Sequence, residues 1–275
     1  MDFALTPVRG EIRLGSIDPE FDAGLDKDQG EELLKQVGKE LSDLLDLLFF
    51  AGQHSLLVVL QGRDTSGKDG TIRRILSFAN AQSCSVSSFK VPTPKELAHD
   101  FLWRVHHETP GRGESKIFNR SHYEDVLVVR VHDLVPKEVW AKRYGAINAF
   151  EELLVEANTI VVKFCLHISK DEQEQRLLDR EKEVEKAWKL SAGDWKEREH
   201  WDKYTEAYEA VLSKCSPEHA PWYVVPSNKK WFRDLAIVST LVKTLRDHVP
   251  SWMQRLEKIG AEAKAELAEY RASLP

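Results

Sequence analysis

One stretch limits the possible folds more than any other. The apolar run SLLVVL (55–60) leads straight into QGRDTSGKDG (61–70) and then into the helix-forming TIRRILSFAN (71–80). A short run without alternation suits a parallel strand covered on both faces. Gly62, Gly67 and Lys68 fit the spacing GxxxxGK, placed between a strand and a helix. Glycines there let backbone N–H groups turn toward an anion, and the helix N-terminus adds partial positive charge. Gly62, Arg63, Thr65, Ser66 and Gly67 are therefore expected to cradle phosphate, with Lys68 bridging its oxygens.

The loop departs from the usual pattern at two positions. Asp69 stands where a Ser or Thr hydroxyl normally meets Mg²⁺. Asp64 puts a carboxylate inside the loop, where bound phosphate would repel it unless a cation intervened. Asp64 reads as an Mg²⁺ ligand, as the group orienting an attacking phosphate oxygen, or as an Asx turn holding the loop.

The rest of the pattern places this unit in an α/β protein. Leu34, Val37, Leu41, Leu44, Leu45 and Leu48 recur at helical spacing before the first strand. Further strands are expected at 85–91, 115–119, 159–168 and 221–225, with helices at 136–157, 170–187, about 194–214 and 229–248, and a charged amphipathic helix from Ser251. Alternation of this kind predicts a parallel sheet with helices on both faces. Residues 1–30 lack periodicity and read as a loosely packed arm; residues 31–275 read as one domain with a helical lid at about 170–200.

Composition narrows function mainly by exclusion. A formal net charge of −6 argues against a surface built to coat nucleic acid, so any polyanion site must be a local basic cavity. Cys84, Cys165 and Cys215 are scattered and read as thiols in a reducing compartment. The N-terminus lacks a signal-peptide pattern, and Lys163 interrupts even the greasiest segment. The expectation is a cytoplasmic protein without a membrane span.

Two more segments carry candidate chemistry. Asn119, Arg120 and Glu124 follow the strand 115–119, and ligands in such sheets sit beyond strand carboxyl ends. Arg120 offers a fork of donors for phosphate oxygens, and Glu124 could hold metal or a hydroxyl. The polar helix from Ser169 carries Arg176 and Arg180, four apart and on one face, as candidate lid cations. His99, His106 and His107 read as structural; Trp188, Trp195 and Trp201 read as lid packing. The run from Asn228 to Arg233 either supplies cations at the same sheet edge or forms a solvated turn.

Five blocks then come together: GRDTSGKDGTIRRI, FNRSHYEDVLVVRVH, HISKDEQEQRLLDR, WDKYTEAYEAVL and APWYVVPSNKKW. In this order, over roughly residues 50–246, they resemble the polyphosphate kinase 2 family. The resemblance implies a three-layer P-loop kinase fold like thymidylate kinase, with a five-stranded parallel sheet, a helical lid and extra N- and C-terminal helices. It implies Mg²⁺, with Mn²⁺ as an alternative, and transfer of phosphate from inorganic polyphosphate to AMP or ADP, giving ADP and ATP reversibly. It also implies a homodimer or homotetramer. By position, Asp64 is the loop acid, Lys68 the loop lysine, Arg120 the second-motif arginine and Arg180 the lid arginine. Asn119 stands where many members carry Asp, which removes one carboxylate from the implied metal shell. The segment 119–125 looks like the subgroup called class III, which uses both AMP and ADP, and Glu124 is the residue tied to AMP. Two other readings remain open: an NTP-dependent nucleotide or small-molecule kinase of the same fold, which Asp69 disfavours, and a non-catalytic nucleotide or polyphosphate binder.

Overall fold

The computed structural model describes residues 3–182 and 191–274. Five strands, β1 Ser55–Gly62, β2 Cys84–Ser88, β3 Ser115–Asn119, β4 Thr159–His167 and β5 Trp222–Pro226, form one sheet in the order β2-β3-β1-β4-β5. All four pairings are parallel. In chain order the helices are α1 Lys27–Ala51, α2 Lys68–Leu76, α3 Pro94–Leu97, α4 Trp103–His106, α5 Val128–Val131, α6 Lys137–Glu156, α7 Lys170–Lys182, α8 Ala192–Glu197, α9 Trp201–Lys214, α10 Lys230–Arg246 and α11 Val249–Ala272.

The continuous apolar strands make sense once their side chains are sorted by parity. Leu57, Val59, Phe118, Val161, Cys165, Trp222 and Val224 enter one core, with Val131 of α5, Ile147 and Phe150 of α6 and Val211 of α9. Leu56, Val58, Leu60, Ile117, Val162, Phe164 and Val225 enter the other, with Leu41 and Leu48 of α1 and Leu241 of α10. A period-two strand with a core on either side leaves no solvent face to mark with polar residues. The result is the expected three-layer α/β arrangement.

Topology also fixes where a ligand can sit. From β1 the chain passes outward to β2; from β3 it crosses to β4 on the far side of β1. The two connections diverge at the carboxyl ends of the neighbouring strands β1 and β3, opening a crevice there.

Several elements differ from their sequence reading. The described part of the N-terminal arm is tied down rather than loose. Val8 donates its N–H to Trp222 O at 2.8 Å, Leu5 donates to Thr240 Oγ1 at 2.9 Å, and Val8 and Leu14 are buried. Helix α1 begins at Lys27, earlier than periodicity suggested, because Asp26 and Gln29 form a reciprocal capping box. Asp26→Ala is expected to destabilise the fold by about 1 kcal/mol in a denaturant titration. The helix expected at 194–214 is broken into α8, a 3₁₀ turn at Arg198–His200 and α9. There Arg198 turns back to α7, donating to Lys170 O at 2.8 Å and pairing with Glu174 at 2.6 Å. The helix expected to reach residue 187 is described only to Lys182; its end, and Trp188, lie outside the described residues. Among the described residues no helix is long and apolar enough to cross a membrane.

Candidate active site

The loop between β1 and α2 has the backbone that anion binding requires. Gly62 and Gly67 have φ of 154° and 110°, and Thr65 has 64°. Gly67 admits no side chain, because a Cβ would fall 1.8 Å from Arg233 Nη1. That guanidinium is 3% exposed and held by Asp234 Oδ1 at 2.7 and 2.9 Å. A second buried arginine, Arg176 of α7, donates to Thr65 O, Ser66 O, Ser227 O and Asn228 O at 2.7–3.2 Å. Gln173, one turn earlier, donates to Asp64 O at 3.0 Å. The loop is thus stapled from below to α7, α10 and the end of β5. Thr65 Oγ1 and Ser66 Oγ are buried without a hydrogen-bond partner, polar atoms that a bound anion would satisfy.

Lys68 folds back over its own loop, donating to Gly62 O at 2.7 Å and Arg63 O at 3.1 Å. Burial, with Arg120 nearby, lowers its pKa to about 8, against the pull of Asp64, Glu124 and Asp69. The sign is testable. Above pH about 8 the free enzyme loses this positive charge, so kcat/KM should fall there, whereas bound phosphate restores the proton and moves the fall in kcat higher. A kcat/KM profile flat to pH about 9.5 would contradict this.

Beside the loop, β3 delivers its exit residues to the crevice. Arg120 has a φ of 62°, the left-handed region, and its N–H is held by Leu60 O at 3.0 Å. Its side chain reaches Asp64 Oδ1 at 2.8 Å and Glu124 Oε2 at 3.1 Å. Burial opposes the charge on Arg120, but Glu124 and Asp64 raise its pKa above the ordinary value. Asn119 donates to Asp69 Oδ1 at 3.2 Å, so the two departures from the usual motifs face each other.

The two arginines that helical spacing put on one face have different surroundings. Arg176 is buried beneath the loop, a correction to its reading as a lid cation. Arg180 lies farther along α7 and pairs with Asp194 Oδ2 of α8 at 2.9 Å. Asp194 in turn has its pKa raised by burial and by Asp64, against Arg180 and Arg120, which places it near the loop acid. Arg120 and Arg180 each bond to a carboxylate, and Lys68 to carbonyl oxygens of its own loop.

A cleft opens beside Asp64, Arg120 and Glu124, walled by Leu127, Val128, Trp201, Tyr204 and Tyr208. Arg63 belongs to this wall rather than to the anion hollow. Its guanidinium stacks 3.7 Å over the Trp201 ring and donates to Trp201 O and Thr205 Oγ1 at 3.0 and 2.6 Å. Sequence reading missed Asp194, Tyr204 and Tyr208. The glycine-marked turn before Asp194 was the available signal for the first; nothing in the periodicity of α9 separates the other two from core positions.

Comparison with known proteins gives consistent results. The family model described as polyphosphate kinase 2 matches residues 24–251. The AMP/ADP-polyphosphate phosphotransferase of Meiothermus ruber is 50% identical over 240 residues, covering 86% of this chain and 89% of the relative. The ADP-polyphosphate phosphotransferase of Rhodopseudomonas palustris is 44% identical, covering 83% and 82%. A crystal structure of polyphosphate kinase 2 from Arthrobacter aurescens superimposes with a TM-score of 0.84 at 39% identity, covering 89% of this chain and 92% of that one.

Proposed function

The chain belongs to the polyphosphate kinase 2 family, and we propose on that footing that it transfers the terminal phosphate of inorganic polyphosphate to AMP and ADP, reversibly. The observation that carries the reading is Arg120, bonded at once to the acid of the phosphate loop and to Glu124 at the mouth of an aromatic-walled cleft. Phosphoryl transfer asks for alignment and charge neutralisation rather than covalent help. An oxygen of the acceptor's terminal phosphate attacks the end phosphorus of polyphosphate in line. The bond to the bridging oxygen breaks, and one anhydride replaces another. Lys68, Arg120 and Arg180 leave their present carboxylate and carbonyl partners to neutralise the oxygens of the moving group. No side chain needs to carry it.

The residues present suit Mg²⁺. Among the described residues there is no group of three or more His, Cys, Asp or Glu side chains able to hold a metal, but Mg²⁺ asks for only one or two carboxylates beside phosphate oxygens and water. Asp64 and Glu124 would hold it, and when bound it screens phosphates from each other. Self-association, as a homodimer or homotetramer, is supported by α11. Residues 261–274 are exposed throughout, with Leu267 and Tyr270 in the open, and sedimentation equilibrium reads the state directly.

Purified protein with Mg²⁺, polyphosphate and AMP should form ADP and then ATP; no ADP would sink the reading. Glu124→Asn should reduce use of AMP relative to ADP by about tenfold in kcat/KM. Equal losses on both acceptors would remove Glu124 from acceptor choice.

A further inference from the structure

Beneath the cleft lies a charged group that the transfer itself does not use. Lys163 of β4, Glu151 of α6, and His122 and Tyr123 of the 3₁₀ turn His122–Asp125 are all fully buried. The Lys163 ammonium donates to the Glu151 carboxylate, to Tyr123 Oη at 2.9 Å and to Cys215 O at 2.8 Å. Tyr123 Oη donates to Glu151 Oε1 at 2.9 Å, and His122 Nε2 lies 3.2 Å from the same oxygen. Burial works against the Glu151 charge, yet attraction to Lys163 and the bond with His122 keep its pKa below the usual value.

A buried ion pair is a weak argument for stability, since apolar residues of similar volume often serve as well. What this one holds is more telling. The turn joins Arg120 to Glu124, and its members are fastened to different elements. Ser121 Oγ accepts from Gln61 of β1 at 3.2 Å, His122 and Tyr123 meet Glu151 and Lys163, and Asp125 accepts from Arg143 of α6 at 2.7 Å. The two residues of this segment lining the cleft are Arg120 and Glu124. Arg120 sits in a backbone conformation that persists only where its surroundings over-determine it.

We propose that Glu151 and Lys163 are positioning residues. Through Tyr123 and His122 they hold the turn so that Arg120 and Glu124 meet the phosphate loop in one arrangement. The inference rests on the phosphotransferase reading above and names supports for that site.

The test is a mutant cycle in the polyphosphate and AMP assay, with thermal melts alongside. Lys163→Met with Glu151→Leu should melt cooperatively but lower kcat by about ten- to a hundredfold. Lys163→Met with Glu151→Gln keeps an acceptor for Tyr123 and His122, and should return to within about threefold of the unmodified protein. The deciding comparison puts the Met and Leu pair into a background carrying both Arg120→Ala and Glu124→Ala, where it should cost less than about threefold, because both residues it acts through are gone. Equal fractional losses with and without Arg120 and Glu124 would overturn the proposal, as would no loss in the first variant or no recovery with Glu151→Gln. If the Met and Leu chain does not fold, Tyr123→Phe removes one hydroxyl and goes through the same cycle under the same criteria. An unmodified protein inactive with polyphosphate and AMP would instead overturn the activity reading, and the positioning role with it.

Discussion

Lys68→Ala is expected to lower turnover by about two to three powers of ten, the usual cost of losing one donor aimed at developing charge. The ammonium lies at the first position of α2, bonded to two carbonyls of its own loop, within the field of Arg120, Asp64 and Glu124. Those two bonds are local, and the loop has other anchors: Arg176, Gln173 and the close packing of Gly67 on Arg233. Removing Lys68 frees two carbonyls but also removes an ammonium that burial and Arg120 disfavour, so the melting temperature should fall by only a few degrees while kcat collapses. A parallel fall in both would mean that the lysine chiefly holds the loop together.

The second large effect separates two arginines four residues apart. Arg176→Met leaves four carbonyls without their donor, three of them at buried bonds, each loss of the kind that costs about 1–3 kcal/mol. Even if water recovers part of this, a loss of about 3 kcal/mol or more should lower the melting temperature by roughly 6–12 °C for a chain of this size. Activity should fall too, since Thr65 and Ser66 lose their support. Arg180→Ala should behave in the opposite way. Its pairing with Asp194 is partly exposed and worth about 1 kcal/mol or less. The fold should hold while kcat drops by about a hundredfold. Calorimetry and kinetics on the two variants read the contrast directly. Equal melting temperatures would mean that Arg176 is not the staple its contacts describe.

How much of this was legible in the sequence depended on whether a feature is local or long-range. The loop, Arg120 and Glu124 were readable because an apolar strand, its exit and a helix start lie together in the chain, and strand exits in such sheets share a crevice. Strands β1, β4 and β5 were readable because both faces are buried, which leaves a largely apolar run. Arg176 was not readable as a staple. Helical spacing says that it shares a face with Arg180, but not that one end of that face lies under the loop and the other beside Asp194. Arg63 sits within the loop motif, yet the side chain's direction is set by Trp201, far along the chain. The N-terminal arm lacked periodicity because its order comes from single long-range bonds such as Val8 to Trp222, which leave no repeating trace. Lys163 registered only as a break in a greasy strand, since its partners Glu151 and Tyr123 come from other elements. The run at Asn228–Arg233 was legible as far as the sheet edge; that Arg233 fills the space under Gly67 required the fold.

Central to the account is that Arg120 joins the strand exit to the phosphate loop around the group being transferred. The most direct measurement is single-turnover formation of ADP from AMP and polyphosphate with Mg²⁺, comparing the unmodified protein with Arg120→Ala at saturating substrates. Rapid ADP formation is expected from the former and a rate about a hundred- to a thousandfold lower from the latter, with its thermal melt essentially preserved. ADP formed at comparable rates by both proteins would contradict it.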